Sequence, residues 1–432
     1  MNATPWSETG DPGSRPRLRG HQRCDVAVVG AGLTGLTAAA ELARLAPELR
    51  IVVVEADHCA AGASGRGTGL LGPRVGPPLA VARRRFGDDV ARSAYLWSVE
   101  AVRAVLALVE EHRIECDLIP GGQLVVAPDE AAAQAQQREA DAARALGLPI
   151  SLVSQGELPA FAQGYLGALR YEPAATLDPA ALTGQLARIA EQRGVTIHER
   201  SPVREIRRGL VTIVRTDDAE LSADRVVVAL NAYGGIPGTP AGVFGVRVQA
   251  GVTGKLPPAA LAAVESLRTD TLIEHGELSP YFRLTSDDRI VVGGGVVRRG
   301  AYGSLAPSPG RLRAAARALA PELSDVDIES AWAGPVGMTR DGLPLLGNDS
   351  RDPGIFNVGG CNGHGLAVSV ANGAHVARWI ATGRKDHLSF ALPWLRPKAP
   401  WLPRGGLAGR ALDGYLAWLS AGQSDRPRER LS

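Results

Sequence analysis

Lysine is almost missing from this chain of 432 residues. Lys255, Lys385 and Lys398 are the only three, and arginine carries the rest of the basic charge. Chemistry that needs a lysine therefore has few places to sit. Cysteine is scarce too: Cys24, Cys59, Cys116 and Cys361 are scattered without paired spacing, which points to free thiols in a reducing compartment and excludes a disulfide framework. No run is long and apolar enough to span a bilayer. The N-terminal stretch holds Pro, Gly and Arg but no apolar core, so it is not a signal peptide; residues 1–21 read as a disordered leader, with the cytoplasm as default location. The net charge of +2 is too small to indicate nucleic acid or an acidic membrane surface as partner. Hydrophobic content of 45% is that of a globular protein, and the length exceeds what one core serves, so two lobes are expected.

What is present begins at 26–55, VAVVGAGLTGLTAAAELARLAPELRIVVVE. A short apolar run ends in Gly30-Ala31-Gly32-Leu33-Thr34-Gly35, an Ala/Leu segment of helical spacing follows, and a second apolar run ends in Glu55. Strand, glycine turn, helix, strand and acid make a dinucleotide-binding unit. Gly30 permits the tight turn, Gly32 lets backbone approach a pyrophosphate, and Gly35 lets helix and strand pack closely. The helix start offers unpaired N–H groups and partial positive charge to the phosphates. Glu55, roughly 20 residues on, is placed for a ribose hydroxyl. Alone, the unit does not distinguish FAD from NAD.

Gly62-Ala63-Ser64-Gly65-Arg66-Gly67-Thr68-Gly69 then leaves the second strand as a loop too rich in small residues for a packed helix, at the sheet end where ligands bind. Helices are expected over 88–113, from 129 to 146, from 178 to about 192 with Asp178-Pro179 as cap and first turn, and over 309–320. Strands at 203–207, 211–215 and 225–230 read as a small antiparallel flap returning to the main sheet. Strands at 246–253, 271–274, 281–284 and 289–292 read as one wall of a second lobe. A second strand–glycine loop–helix runs from 355 through Gly359-Gly360-Cys361-Asn362-Gly363-His364-Gly365 to about 382. Two such helix starts can hold opposite ends of a long ligand, one at the pyrophosphate and one beside a redox ring that gains negative charge on reduction, which favours FAD.

With these motifs assembled, the chain resembles the D-amino-acid oxidase (DAO) superfamily of FAD-dependent oxidoreductases and is most similar to its gamma-glutamylputrescine oxidoreductase-like branch. The motifs that carry the resemblance are the Gly30–Glu55 unit, the Ser64-Gly65-Arg66 loop, Tyr281-Phe282-Arg283-Leu284 with Gly293-Gly294-Gly295, Met338-Thr339-Arg340-Asp341-Gly342-Leu343-Pro344, and Gly363-His364-Gly365. The resemblance implies an α/β and α+β fold: a Rossmann-like, discontinuous FAD-binding domain over 22–82, 150–235 and 330–385, interleaved with a substrate domain over 83–149 and 236–329 on a mixed, largely antiparallel sheet. A Pro-rich tail with a short helix follows over 386–432. For the cofactor it implies contacts from Gly30, Ala31, Gly32, Leu33, Thr34, Gly35, Glu55 and Ala56 at the ADP half. It adds Gly62, Ala63, Ser64, Gly65, Arg66, Gly67 and Thr68 beside the pyrophosphate or flavin, Val203 at the adenine, Gly334, and Gly363, His364, Gly365 and Leu366 beneath the pyrimidine edge. The chain departs from many relatives in reading Gly67-Thr68-Gly69 after Ser-Gly-Arg, and no cysteine stands at 335–338, so the FAD is expected to be non-covalent.

The implied reaction oxidises a C–N bond of an amine or amino acid to the imine by hydride transfer to the flavin, which O2 (giving H2O2) or another acceptor reoxidises. Arg283 is the expected substrate contact, able to hold a carboxylate as a bidentate pair, with Tyr281 beside it. His364 is expected as an acid or as a hydrogen-bond donor to the ring. No metal site is expected, and the protein is expected to be a monomer or homodimer. An NAD-dependent dehydrogenase and a flavin-binding protein without turnover remain as alternatives, the second permitted by the altered loop and the missing lysine.

Overall fold

The computed structural model describes residues 4–6, 15–239, 242–276, 279–295, 298–299, 306–349, 352–385, 392–396 and 398–400. Two sheets organise it. The first runs in the order Leu345–Asp349, Asp352–Gly359, Ala219–Val228, Gly20–Val29, Ile51–Val54 and Thr196–His198. All neighbours are parallel except the edge strand Leu345–Asp349. The apolar runs at 26–29 and 51–54 are continuous because both faces are covered. Val26 and Val28 pack into a core with the helix Leu33–Leu45, while Ala27 and Val29 join a second core with Val203, Ile206 and Val214 on the opposite face. Glu205–Arg207, Thr212–Arg215 and the first half of Ala219–Val228 form the antiparallel flap, and Val226–Val228 returns to the main sheet, as the sequence predicts.

Among the described residues the second sheet has ten strands, and its spine is Phe244–Thr253, Ile290–Gly293, Tyr281–Leu284, Asp270–Glu274, Ile119–Val126 and Gly167–Thr176. Alternation along these strands separates two faces. Leu124, Leu272, Phe282, Leu284, Ile290 and Val292 face the helices Pro258–Val264 and Pro309–Leu319. The other face carries a row that the register makes adjacent: Tyr171 beside Gln123, Gln123 beside Thr271, and Arg283 next on the following strand. Three of these four are polar side chains at least 96% buried, and they lie on the face that meets the glycine loop.

Several strands within the segments assigned from sequence to the FAD-binding domain pair with the second sheet. Ile150–Ser154 and Gly167–Thr176, within the 150–235 segment expected in the FAD-binding domain, pair with the second sheet; Ile328–Met338, largely within 330–385, pairs along Phe244–Thr253 in that sheet. Alternation reports a half-buried strand, not which edge it will find. The expected leader also differs. Leu18 is 1% exposed, Arg15 bonds the carboxylates of Glu191 and Glu199, and the first strand begins at Gly20. The expected helix within the tail lies outside the described residues. Before it, Leu392 and Trp394 are buried, and the Trp394 ring meets Trp97 edge-on at 4.8 Å.

The two helices that follow glycine turns, Leu33–Leu45 and Gly365–Thr382, cross at Gly373, where an added Cβ would lie 2.6 Å from the Thr34 carbonyl oxygen. Because the strands that precede them run parallel in the first sheet, both helices start at the same end of it.

Candidate functional site

Each part of the glycine-rich unit has the geometry its chemistry requires. Gly30 has a φ of +105°, and its amide donates to the Val54 carbonyl at 2.9 Å, closing the turn onto the neighbouring strand. A Cβ on Gly35 would stand 1.9 Å from the Gly30 carbonyl oxygen, so only glycine lets the helix leave so close to the turn. Gly32 precedes the helix with no side-chain cap of its own. The cap comes from outside: the Leu33 amide donates to Ser64 Oγ at 3.0 Å. A hydroxyl oxygen thus occupies the helix N-terminus that favours phosphate oxygens, and a Cβ on Gly32 would crowd the same spot, 2.8 Å from that Oγ. Leu33 is buried beneath this turn and Thr34 supplies the carbonyl packed on Gly373.

Glu55 accepts from the Ala31 amide at 2.8 Å and the Asp57 amide at 3.0 Å. Burial raises its pKa, opposed by these backbone amides. Its carboxylate thus sits beside the turn, where an acidic group is needed for a ribose. Ala56 borders a cavity of about 310 Å³ together with Arg200, Ser201 and Pro202, next in the chain to Val203, which is buried under the flap. A dinucleotide therefore finds a fitting cradle: a tight turn, a helix start whose cap is a replaceable oxygen, and an adjacent acid.

The loop that follows is held by unusual partners. Gly62 accepts from Arg66 Nη1 at 3.3 Å; Ala63 to Gly65 form one tight turn, and the Gly65 amide bonds Ala60. Two indoles then take the next carbonyls. Trp332 Nε1 donates to the Arg66 carbonyl and Trp6 Nε1 to the Gly67 carbonyl, each at 3.0 Å. Thr68 lies beside the Tyr281 phenol, whose pKa burial pushes up. Gly69 lies against Arg283: a Cβ there would be 2.9 Å from its Nη2. Gly334, on the strand carrying Trp332, lies across from the Arg66 stem at 3.5 Å from where its own Cβ would be.

Arg283 is the electrostatic centre of this region. It is 2% exposed, and burial pulls its pKa down to about 10 against the distant charges of Asp178, Asp117 and Asp287. No carboxylate among the described residues forms an ion pair with it, and its Nε has no hydrogen-bond partner. Its guanidinium lies 4.9 Å from the centroid of the Trp6 ring. Arg74 stands over the buried Tyr171 ring at 5.7 Å.

On the opposite side, Gly360 donates to Asn231 Oδ1 at 2.9 Å, Asn231 Nδ2 donates to Cys361 Sγ at 3.3 Å, and the Asn362 amide donates to the Gly337 carbonyl at 2.9 Å. Asn362 Oδ1 in turn accepts from the Thr339 amide at 2.8 Å. Gly363, at φ +89°, turns the chain into His364, which precedes the helix Gly365–Thr382; Leu366 is buried in its first turn. Burial, reinforced by the Arg74 charge, pulls the His364 pKa down to about 3. A neutral imidazole is a poor general acid but keeps one ring N–H to donate. Among the described residues no helix is long and apolar enough to cross a membrane.

The structure thus joins Tyr281, Arg283 and the loop Gly62–Thr68 at one locus. Sequence reasoning missed Asn231, Trp332 and Trp6. Asn231 could have been found, because it closely follows a parallel strand at the ligand-binding end of the sheet; the two tryptophans carry no local signal.

The family model of the FAD dependent oxidoreductases (DAO) matches residues 25–379. Gamma-glutamylputrescine oxidoreductase of Escherichia coli (strain K12) is 28% identical over 384 residues, covering 85% of this chain and 86% of that protein. Glycine oxidase of Geobacillus kaustophilus (strain HTA426) is 26% identical over 369 residues, covering 82% of this chain and 92% of that protein. The crystal structure of glycine oxidase from Geobacillus kaustophilus superposes with a TM-score of 0.74 at 23% identity, over 88% of this chain and 100% of that one. A second helix start and glycine loop, which an NAD-dependent reading leaves unexplained, have their place in this fold, and the chain belongs to the FAD dependent oxidoreductases of the DAO family.

Proposed function

We propose that the protein oxidises a C–N bond of a small amine that also bears a carboxylate, an amino acid or an N-substituted one. The observation that carries this reading is Arg283: a buried guanidinium on a sheet face, beneath the loop that would flank the flavin, with no carboxylate of the described chain in contact. Burying an unpaired cation costs several kcal/mol, so its retention is best explained by an anion that arrives with the ligand. The names of two relatives, a gamma-glutamylputrescine oxidoreductase and a glycine oxidase, support an amine or amino-acid substrate.

Gly30 to Gly35, Ser64 and Glu55 would hold the ADP half of FAD, and Arg66 to Thr68 with Gly363 to Leu366 would flank the ring. Bound FAD supplies the hydride acceptor. Arg283 would orient the substrate by its carboxylate, Tyr281 and Thr68 would close the pocket beside it, and the neutral His364 would offer a hydrogen bond without adding charge. The positive field of Arg283 and Arg74 disfavours an ammonium nearby and so favours the free amine that hydride loss requires. Absence of an internal acid–base pair is no obstacle, because orientation and a neutral amine suffice. We assign the FAD as non-covalent and leave the reoxidant as O2 or another acceptor.

Anaerobic mixing of the flavoprotein with N-methyl amino acids, D-amino acids, glycine and carboxylate-free polyamines tests the reading. Bleaching of the flavin absorbance is expected from carboxylate-bearing amines, with Arg283→Gln raising the concentration for half-maximal rate at least about tenfold. Bleaching by polyamines alone, unchanged in Arg283→Gln, would sink it.

A further inference from the structure

The segment 4–6 has no role in a dinucleotide fold, yet it reaches the centre of the site. Trp6 is 6% exposed and packs with Ala180, Ala250, Val252, Val291 and Trp332, on the sheet face that carries Arg283. Its Nε1 donates to the Gly67 carbonyl at 3.0 Å, its ring meets Trp332 edge-on at 6.4 Å, its face takes the Arg283 guanidinium at 4.9 Å, and nearby Thr4 Oγ1 reaches the Gly65 carbonyl at 3.5 Å.

From this geometry we propose that Trp6 is a positioning residue of the reaction site, whose ring holds the Arg283 guanidinium in place to receive the substrate carboxylate. An arginine in this position must be kept charged and fixed without being neutralised. A carboxylate partner would fix it but would compete with the substrate's own carboxylate. An aromatic face attracts the cation through its quadrupole, strongly so where water is excluded, and leaves the N–H edge of the fork unoccupied. Trp6 supplies that face, and its N–H ties the ring to the loop that carries Gly67 and Thr68. One side chain thereby couples the loop to the cation.

The inference rests on Arg283 as the carboxylate receptor, and the experiment separates the two. Holoenzyme at saturating FAD is titrated anaerobically with acetate, glycolate and benzoate, and binding is read from the perturbation of the flavin absorbance band. Wild type is expected to respond with a saturable shift, and Arg283→Gln to lose it. Trp6→Leu, apolar but without an aromatic face, is expected to weaken binding about tenfold, and Trp6→Phe, which keeps the face and loses the N–H, to stay within about threefold of wild type. Thermal midpoints and flavin content of the variants are measured alongside. Loss of binding in Arg283→Gln with unchanged binding in Trp6→Leu overturns the role of Trp6 alone. Equal weakening in Trp6→Leu and Trp6→Phe overturns it too, since the N–H and not the cation contact would then matter. Binding that survives Arg283→Gln, or an absent response in wild type, overturns the reading of Arg283 on which it stands.

Discussion

The Lys255 ammonium stands 3.7 Å from the Asp288 carboxylate, with 71% of its side chain exposed. Lys385 and Lys398 are exposed as well, so no lysine of this chain is buried beside the flavin loop. If O2 is the oxidant, its reaction with reduced flavin proceeds without a lysine. Stopped-flow reoxidation in air-saturated buffer should have the same rate in Lys255→Met as in wild type, within about 20% given an exposed, screened charge; a collapse of the rate in the variant would contradict this. The scarcity of lysine was readable from the sequence, and so was the interest of Arg283. Its burial was not. Tyr281-Phe282-Arg283-Leu284 fits an inner strand and a sheet edge equally well, and only the pairing of both neighbouring strands and the overlying loop closes the site. Trp6 was illegible for a different reason: one aromatic in a Gly-, Pro- and Arg-rich stretch has no periodicity, and its partners lie far along the chain.

Polar clamps join elements here, and one lies under the Met338–Pro344 motif. Arg396 donates to both oxygens of Asp341, at 2.5 and 2.9 Å, and to the carbonyls of Leu343 and Pro344. Thr339 Oγ1 closes the same turn onto the Leu343 carbonyl at 2.7 Å. Burial works to raise the Asp341 carboxyl, and the hydrogen-bonded Arg396 outweighs it, so its pKa falls below the ordinary value. A depressed carboxyl contributes stability above its unfolded pKa and loses it as pH falls through its folded one. Asp341→Asn should therefore unfold more easily than wild type at pH 7, by about 1–2 kcal/mol for a partly exposed charged pair, with the gap in thermal midpoint closing below about pH 4. A gap that persists at low pH would assign the loss to packing. The turn was visible in the sequence through Asp341-Gly342 and Leu343-Pro344; its partner, which follows the tail's described start, was not. Caps with local logic fared better: Asp178 accepts from the Ala180 and Ala181 amides, as its position before Pro179 predicts.

At the scale of the whole molecule, two sheets meet over the glycine loop, and neither holds a thiol suited to a covalent flavin. The four cysteines are free; burial pushes Cys24 and Cys116 up to about 12, and raises Cys59 and Cys361 as well. Cys361, nearest the helix start, has its sulfur engaged by Asn231. Acid precipitation should leave the yellow colour in the supernatant, and colour in the pellet would refute non-covalent binding. The nucleotide-binding half of the fold was legible because its spacing is local. The second sheet was only partly so: its strands were recognisable, but the strand interleaving that assembles it from 70–71, 119–126, 150–176 and 244–338 depends on long-range pairing that alternation does not encode. One feature of that meeting place has an optical consequence. Trp6 and Trp332, two of seven tryptophans, bond successive carbonyls of the loop beside the flavin position. Their ultraviolet emission falls where flavin absorbs, so loading the protein with FAD should quench tryptophan fluorescence, a change read without any attached dye.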